Sequence, residues 1–473
     1  MNDKKKVIIL GAGIAGLSIG YFLSRSGKYA VTLLEKESDI GGLCASFKHF
    51  DFTLDYGAHK IYSVIPGILP EIRELMGDRL LAIPKKNRIF IKGRLLDYPL
   101  KLGNLFKVMG LLTFLSLGAG YAWALLKSFF IKTPPASYED YMRRRFGPPT
   151  YKLILEPLAD KIWGHPAGLH ADIARMRVPA SSGAEVILKL LGIKKETADS
   201  NAEIFYYPKN GFGEFPKRLQ ELIEASGGQV HTSIQIKQLK ERGPRIAQVL
   251  AEENGVAKTF DCDYLISSIP LPTLTRLLFD EIHPLFPAQI NGLQFRHLVL
   301  VYLFIKKPLV LKDQWIFFPE REFLFSRIFE QKQMNPALGP GDQTVLCCDF
   351  TCAESSWAWE ASDESLAQKC TEGLVAAKLI EKTDVVGNFV KRVRSFYPRY
   401  DLQYPQKLTA VCQSLKTKEN LLLTGRLGIY NYNNADHCFD MARFISEQLD
   451  KGLAARDVWD ALEKRVQSYK IVD

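Results

Sequence analysis

The chain has 473 residues, more than one ordinary hydrophobic core supports, so two domains or one large composite domain are expected. Apolar residues make up 47% and charged residues 24%, which excludes a disordered chain. A net charge of +10 favours anionic partners, but no basic run with interleaved aromatics occurs, so a nucleic-acid partner is not expected.

In chain order, KKVIIL (Lys5–Leu10) reads as a buried strand. Gly11, Gly13 and Gly16 follow as GxGxxG, with Ile14 and Ala15 opening a helix, and VTLLE closes a second strand at Glu35, ahead of Lys36. The glycines permit a tight turn, approach of a diphosphate to the backbone, and close helix–strand packing. The diphosphate would sit at the helix N-terminus, and Glu35 would accept from ribose hydroxyls. Strand, helix, second strand and acidic residue together make a dinucleotide site, which a lone GxGxxG would not. Gly41 and Gly42 then make another tight turn.

Val108–Leu126 is uncharged and flanked by Lys101, Lys107, Lys127 and Lys132, so it is long enough to span a bilayer. Both chain ends are expected to build one cofactor site, which argues against a single span. Two readings stay open: a buried helix, or a monotopic helix lying in a membrane surface. The cysteines, Cys44, Cys262, Cys347, Cys348, Cys352, Cys370, Cys412 and Cys438, form no CxxC pair, so free thiols and no metal site are expected. The N-terminal MNDKKK leads directly into a strand without a signal peptide, and a cytoplasmic protein is expected, either free or peripheral on the inner face of the membrane. Near the other end, GRLGIYNYNNADH gathers tyrosines, asparagines, an Asp-His pair and Arg426 behind the apolar run LLLTG.

The extension KESDIGGLCASF after Glu35 resembles flavoproteins of the amine oxidase and protoporphyrinogen oxidase superfamily. There the paired glycines lie by the FAD diphosphate. GGQVHTSIQIKQL resembles the family strand whose backbone, at Val230, approaches the adenine, and DCDYLISSIPLPTL the strand leaving the cofactor domain. The implied fold is α/β (α+β): a discontinuous Rossmann-like FAD-binding domain with an inserted helical or mixed substrate domain. The FAD domain would take 1–85, 203–275 and 385–450, the substrate domain 86–202 and 276–384, and a helical tail 451–473. The cofactor implied is FAD, held by Gly11, Gly13, Ile14, Ala15, Gly16, Glu35, Lys36, Gly42, Leu43, Gly57, His59, Val230, Gly425, Arg426, Asn434 and Asp436.

Within that superfamily, several segments are similar to UDP-galactopyranose mutases. FDFTLDYGAHKIYS would set His59 under or beside the flavin ring, and DKIWGHP would bring Trp163 near the substrate. Arg177 resembles the mobile-loop arginine that pairs with the substrate diphosphate, and Asn201 a polar contact. Trp315, Phe317 and Arg327 resemble a substrate wall, and Tyr404 and Tyr432 the tyrosines of the C-terminal signature that bind diphosphate. Catalytic roles are thereby implied for His59, Arg177 and Arg327. The pattern departs at Phe317, where a mutase often has tyrosine, and at Val64 and Lys101, where histidine and glutamine can occur.

The resemblance implies a reduced flavin acting as nucleophile on a nucleotide- or lipid-diphosphate-linked sugar, changing its ring size in cell-surface polysaccharide synthesis. A second reading is a redox flavoenzyme, an oxidase or desaturase with an amphipathic substrate. A third is a flavin-binding scaffold without catalysis. No reductant or electron acceptor can be named from the residues.

Overall fold

The computed structural model describes residues 4–97, 106, 108–131, 133–177, 203–279 and 289–471. Five parallel strands form the first sheet in the order Leu421–Leu423, Tyr264–Ser267, Lys5–Leu10, Tyr29–Leu34, Gln229–His231. Val7, Ile9 and Leu10 at its centre are fully buried, as a strand covered on both faces requires. The helix Ile14–Arg25 lies on this sheet beside Ala435–Asp450 and Glu214–Ala225. The chain's two ends therefore meet at its first helix.

The second sheet has seven strands, in the order Val385–Pro398, Phe295–Ile305, Thr344–Cys352, Arg327–Glu330, Trp315–Phe317, Asn87–Ile91, Arg94–Asp97. Its second strand, FRHLVLVYLFI (Phe295–Ile305), feeds two cores by alternation. Leu298, Leu300 and Tyr302 enter the large core shared with the first sheet. Val299, Val301 and Leu303 enter a smaller one under the helix Asp363–Ala376. The expected start of the last cofactor segment at 385 needs correction. Val385–Pro398 pairs antiparallel with Phe295–Ile305 along most of that strand's length, in the second sheet. The chain rejoins the first sheet only at Leu421.

Val108–Leu126 is met by a helix, Leu111–Ser128, and the buried-helix reading fails. Of its side chains Leu117 and Ala124 are buried, while Leu112 is 85% and Trp123 60% exposed.

After residue 451 the helix Ala455–Val466 locks onto Ala435–Asp450 through one carboxylate. Asp440, fully buried, accepts from Arg465 Nε and Nη2 at 2.7 Å each and from Tyr469 Oη at 2.5 Å. Removing one partner of a buried pair strands the other, at a cost of about 3 kcal/mol or more. Asp440→Ala is therefore expected to lower the temperature at which flavin fluorescence is released on heating, whereas Asp460→Ala, which removes an exposed carboxylate of the same tail helix, leaves it nearly unchanged.

Candidate active site

The first helix opens at Gly13, which no side chain caps. A Cβ at Gly16 would stand 1.9 Å from Gly11 O, so only glycine lets the helix sit this close to the preceding turn. A Cβ at Gly13 would meet only Gly41 O, at 3.9 Å, and the two glycines are bridged in parallel. The uncapped N–H groups behind this turn, including those of Ile14 and Ala15, can bind a diphosphate. Gly42 and Leu43 form the short turn beside it. Glu35 is buried, and its carboxylate accepts from Ala12 N–H at 2.8 Å and Glu37 N–H at 3.0 Å. Lys36 points to solvent and pairs with Glu37. Val230 lies in the edge strand, opposite Leu33.

The C-terminal segment closes the cradle. Gly425 has φ +76°, and a Cβ there would come within 2.6 Å of the Ala15 side chain. Arg426 Nε donates to Asn433 O at 2.9 Å, and its guanidinium covers the Phe396 and Tyr397 rings at 5.4 and 5.0 Å. Asn434 caps the helix Ala435–Asp450, its N–H donating to His437 Nδ1 at 3.0 Å, and Asp436 is buried in the first turn.

His59 follows the buried strand Phe52–Asp55 and stacks on Phe212, 4.7 Å between centroids. Its Nδ1 is buried without a partner. Burial and the charges of Arg327 and Arg426 push its pKa down to about 3, so the ring is neutral at physiological pH. A neutral ring there can offer a hydrogen bond but carries no charge. Gly57, φ +117°, lets Arg327 Nη2 approach, 4.0 Å from where a Cβ would be. Asp55 anchors this segment, accepting from Ser46 Oγ, Tyr207 Oη and the Phe212 N–H.

Beyond His59, aromatic rings and arginines form a wall. Arg177, at the end of the helix Asp172–Arg177, covers the Trp163 ring at 4.9 Å. Trp163 meets Tyr432 edge-on at 6.4 Å, and Tyr432 stacks on Tyr397 at 5.0 Å. Trp163 Nε1 and Tyr432 Oη are buried without partners. Arg327 is held by Asp349, with 2.7 Å contacts from Nε and Nη2. Phe317 is half-buried opposite Arg327 across the strand pair.

Two expected contacts do not fit. Tyr404 spends its hydroxyl on Asp172 Oδ2 at 2.6 Å and stacks on Tyr400, so it braces the helix carrying Arg177 and does not face the wall. Trp315 is buried in the large core against Phe205, on the same face of its strand as Phe317 but deeper in the sheet. Asn201 lies outside the described residues. Sequence reasoning missed Phe212, Tyr397 and Asp349. Phe212 stands between Gly211 and Gly213, and Tyr397 seven residues before Tyr404, with no spacing that marks either as a site residue. Asp349 gave no signal, since only strand register sets it opposite Arg327.

The pattern of the family described as flavin containing amine oxidoreductase matches residues 14–425. The chain belongs to that family. Its cofactor is FAD, and the uncapped glycine turn, buried Glu35 and unpartnered His59 Nδ1 suit it. Reduced UDP-galactopyranose mutase shares the fold with a TM-score of 0.82, at 18% identity over 99% of this chain and 98% of that one. A proposed protoporphyrinogen oxidase from Exiguobacterium sp. 255-15 gives 0.70, at 18% identity over 95% and 100%. Putrescine oxidase bound to putrescine gives 0.63, at 14% identity over 95% and 99%. In sequence, phytoene desaturase of Fusarium fujikuroi is 35% identical over 83 residues, 17% of this chain and 14% of that protein, so the chain spans a small part of that relative.

The neutral His59 has a consequence in acid. Its folded pKa lies below its unfolded value, so between about pH 6.5 and 3 the unfolded chain takes up a proton that the folded one refuses. Stability is lost as pH falls through that window, by about 1.4 kcal/mol per pH unit for a fully shifted group. In flavin-free protein, His59→Asn is expected to lose less stability than wild type between pH 6.5 and 4, measured by thermal denaturation at each pH. Parallel curves would show that His59 is solvated.

Proposed function

We propose that this flavoenzyme acts on a diphosphate-linked sugar by mutase-like chemistry. The observation that carries the reading is the wall formed by Arg177, Trp163, Tyr397, Tyr432 and Arg426, beside Arg327 and a neutral His59. Planar guanidinium forks match diphosphate oxygens in pairs, and aromatic faces suit a sugar or nucleobase. Bound FAD would supply a nucleophile when reduced and a hydride acceptor when oxidised.

The chain's own residues divide the remaining work. Arg177 and Arg327 would hold the leaving diphosphate, and the Tyr432 hydroxyl would donate to one of its oxygens. Arg426 and the N-terminus of Ala435–Asp450 would offset negative charge at the flavin's pyrimidine end. His59 would orient that ring without adding charge. The similarity in fold to UDP-galactopyranose mutase supports this reading, as does the likeness of the C-terminal signature.

One observation favours a second reading. The exposed apolar helix Leu111–Ser128 packs on Tyr138–Thr150, whose Tyr138 ring lies 5.7 Å from Trp163. An amphipathic substrate oxidised by flavin would use such an approach.

Anaerobic mixing with UDP-galactose and related diphosphate sugars separates the two. Isomerised sugar formed only with dithionite-reduced flavin is the expected result; bleaching of oxidised flavin by the substrate would move the enzyme to the oxidoreductases. Tyr432→Phe is expected to raise KM about fivefold to tenfold with no loss of thermal stability, since the hydroxyl it removes has no partner in the protein. Arg327→Lys retains a charge beside Asp349 but loses the fork, and is expected to weaken diphosphate-sugar binding by about 2 kcal/mol in titration calorimetry.

A further inference from the structure

The helix Leu111–Ser128 turns an unbroken apolar stripe to solvent. At about 100° per residue, Leu111, Leu112, Leu115, Trp123 and Leu126 fall within one sector of about 120°. Phe129 and Phe130, just beyond the helix end, continue it and are 77% and 83% exposed. No charged residue lies inside the sector; Lys127 stands at its border.

The stripe is held outward by the packing behind it. Leu117 and Ala124 are buried on the opposite face. There the helix crosses Tyr138–Thr150 at glycine: a Cβ at Gly120 would meet Pro149 at 2.5 Å, and one at Gly147 would meet Gly120 O at 2.2 Å. Such a contact fixes the rotation of the helix about its axis. A fixed apolar surface of this size marks an interaction site.

We infer that Leu111–Phe130 lies in the plane of an anionic lipid leaflet, with the stripe among the acyl chains and the basic border at the headgroups. Charge selects this occupant. At the C-terminal end of the stripe a groove of about 380 Å³ is lined by Trp123, Lys127, Arg143 and Arg144; Glu139 and Asp140, which also line it, pair with the two arginines, so Lys127 is the excess cation beside Trp123. An aromatic beside a cation at the edge of an apolar face is the arrangement of an interfacial helix. Spanning is disfavoured, because it would carry the ion pairs Arg143–Glu139 and Arg144–Asp140, directly behind the helix, into hydrocarbon. The inference does not depend on the sugar reading of the active site.

Flotation of the full-length FAD-loaded protein with vesicles tests it. Wild type is expected to float with vesicles of phosphatidylcholine containing about one third phosphatidylglycerol, and much less at high salt or with phosphatidylcholine alone. The variant carrying Leu112→Glu and Trp123→Glu, both exposed and so compatible with folding, is expected to float about tenfold less while keeping its flavin absorbance and melting temperature. Lys127→Glu should weaken flotation on the anionic vesicles alone. Wild type remaining at the bottom of the gradient, or the double variant floating equally well, would overturn the inference. So would a wild-type dimer, lost in the double variant, that does not float.

Discussion

A missing carbon atom at Gly425 conditions much of this architecture. The Cβ of any other residue would come within 2.6 Å of the Ala15 side chain, and one at Gly428 within 2.7 Å of Ser267 O. With both absent, the segment after Leu421–Leu423 can settle on the first helix and reach across it with Arg426. The same economy of space recurs at Gly16 against Gly11 O. Together these contacts bring residues more than 400 positions apart into one cradle, with the N-termini of Ile14–Arg25 and Ala435–Asp450 both available to negative charge.

Electrostatics around His59 follow from that closure. Arg426 arrives from the first domain's last segment, and Arg327 from the second sheet. Between them a protonated imidazole would meet two like charges and little water, so the ring stays neutral. The cations are steadied by different means: Arg327 by Asp349, Arg426 by Asn433 O and the faces of Phe396 and Tyr397.

The cofactor end was legible in the sequence because its information is local. GxGxxG, the strand before it and Glu35 lie within one βαβ unit, and their spacing encodes the turn, the close packing and the acceptor. The substrate end was read less well. Trp315 and Phe317 share a strand face, yet one is in the core and the other half-buried beside Arg327, a difference of depth in a sheet that spacing does not carry. Tyr404 and Tyr432 looked alike as tyrosines near a signature. Only the position of Asp172, 232 residues from Tyr404, shows that one hydroxyl is spent and the other is not.

By itself, then, the sequence determined a dinucleotide fold, its flavin family and a long apolar helix, because each rests on residue type at short spacing. The tertiary structure decided three further things. It assigned Val385–Pro398 to the second sheet, through register with Phe295–Ile305. It gathered Arg177, Trp163, Tyr397 and Tyr432 into one wall, through packing between distant segments. It also turned the apolar side of Leu111–Ser128 outward, since the glycine crossing at Gly120 and Gly147 leaves that helix one rotation about its axis. Hydrophobic pattern states that a face must be buried; which neighbour buries it depends on contacts made across the whole chain.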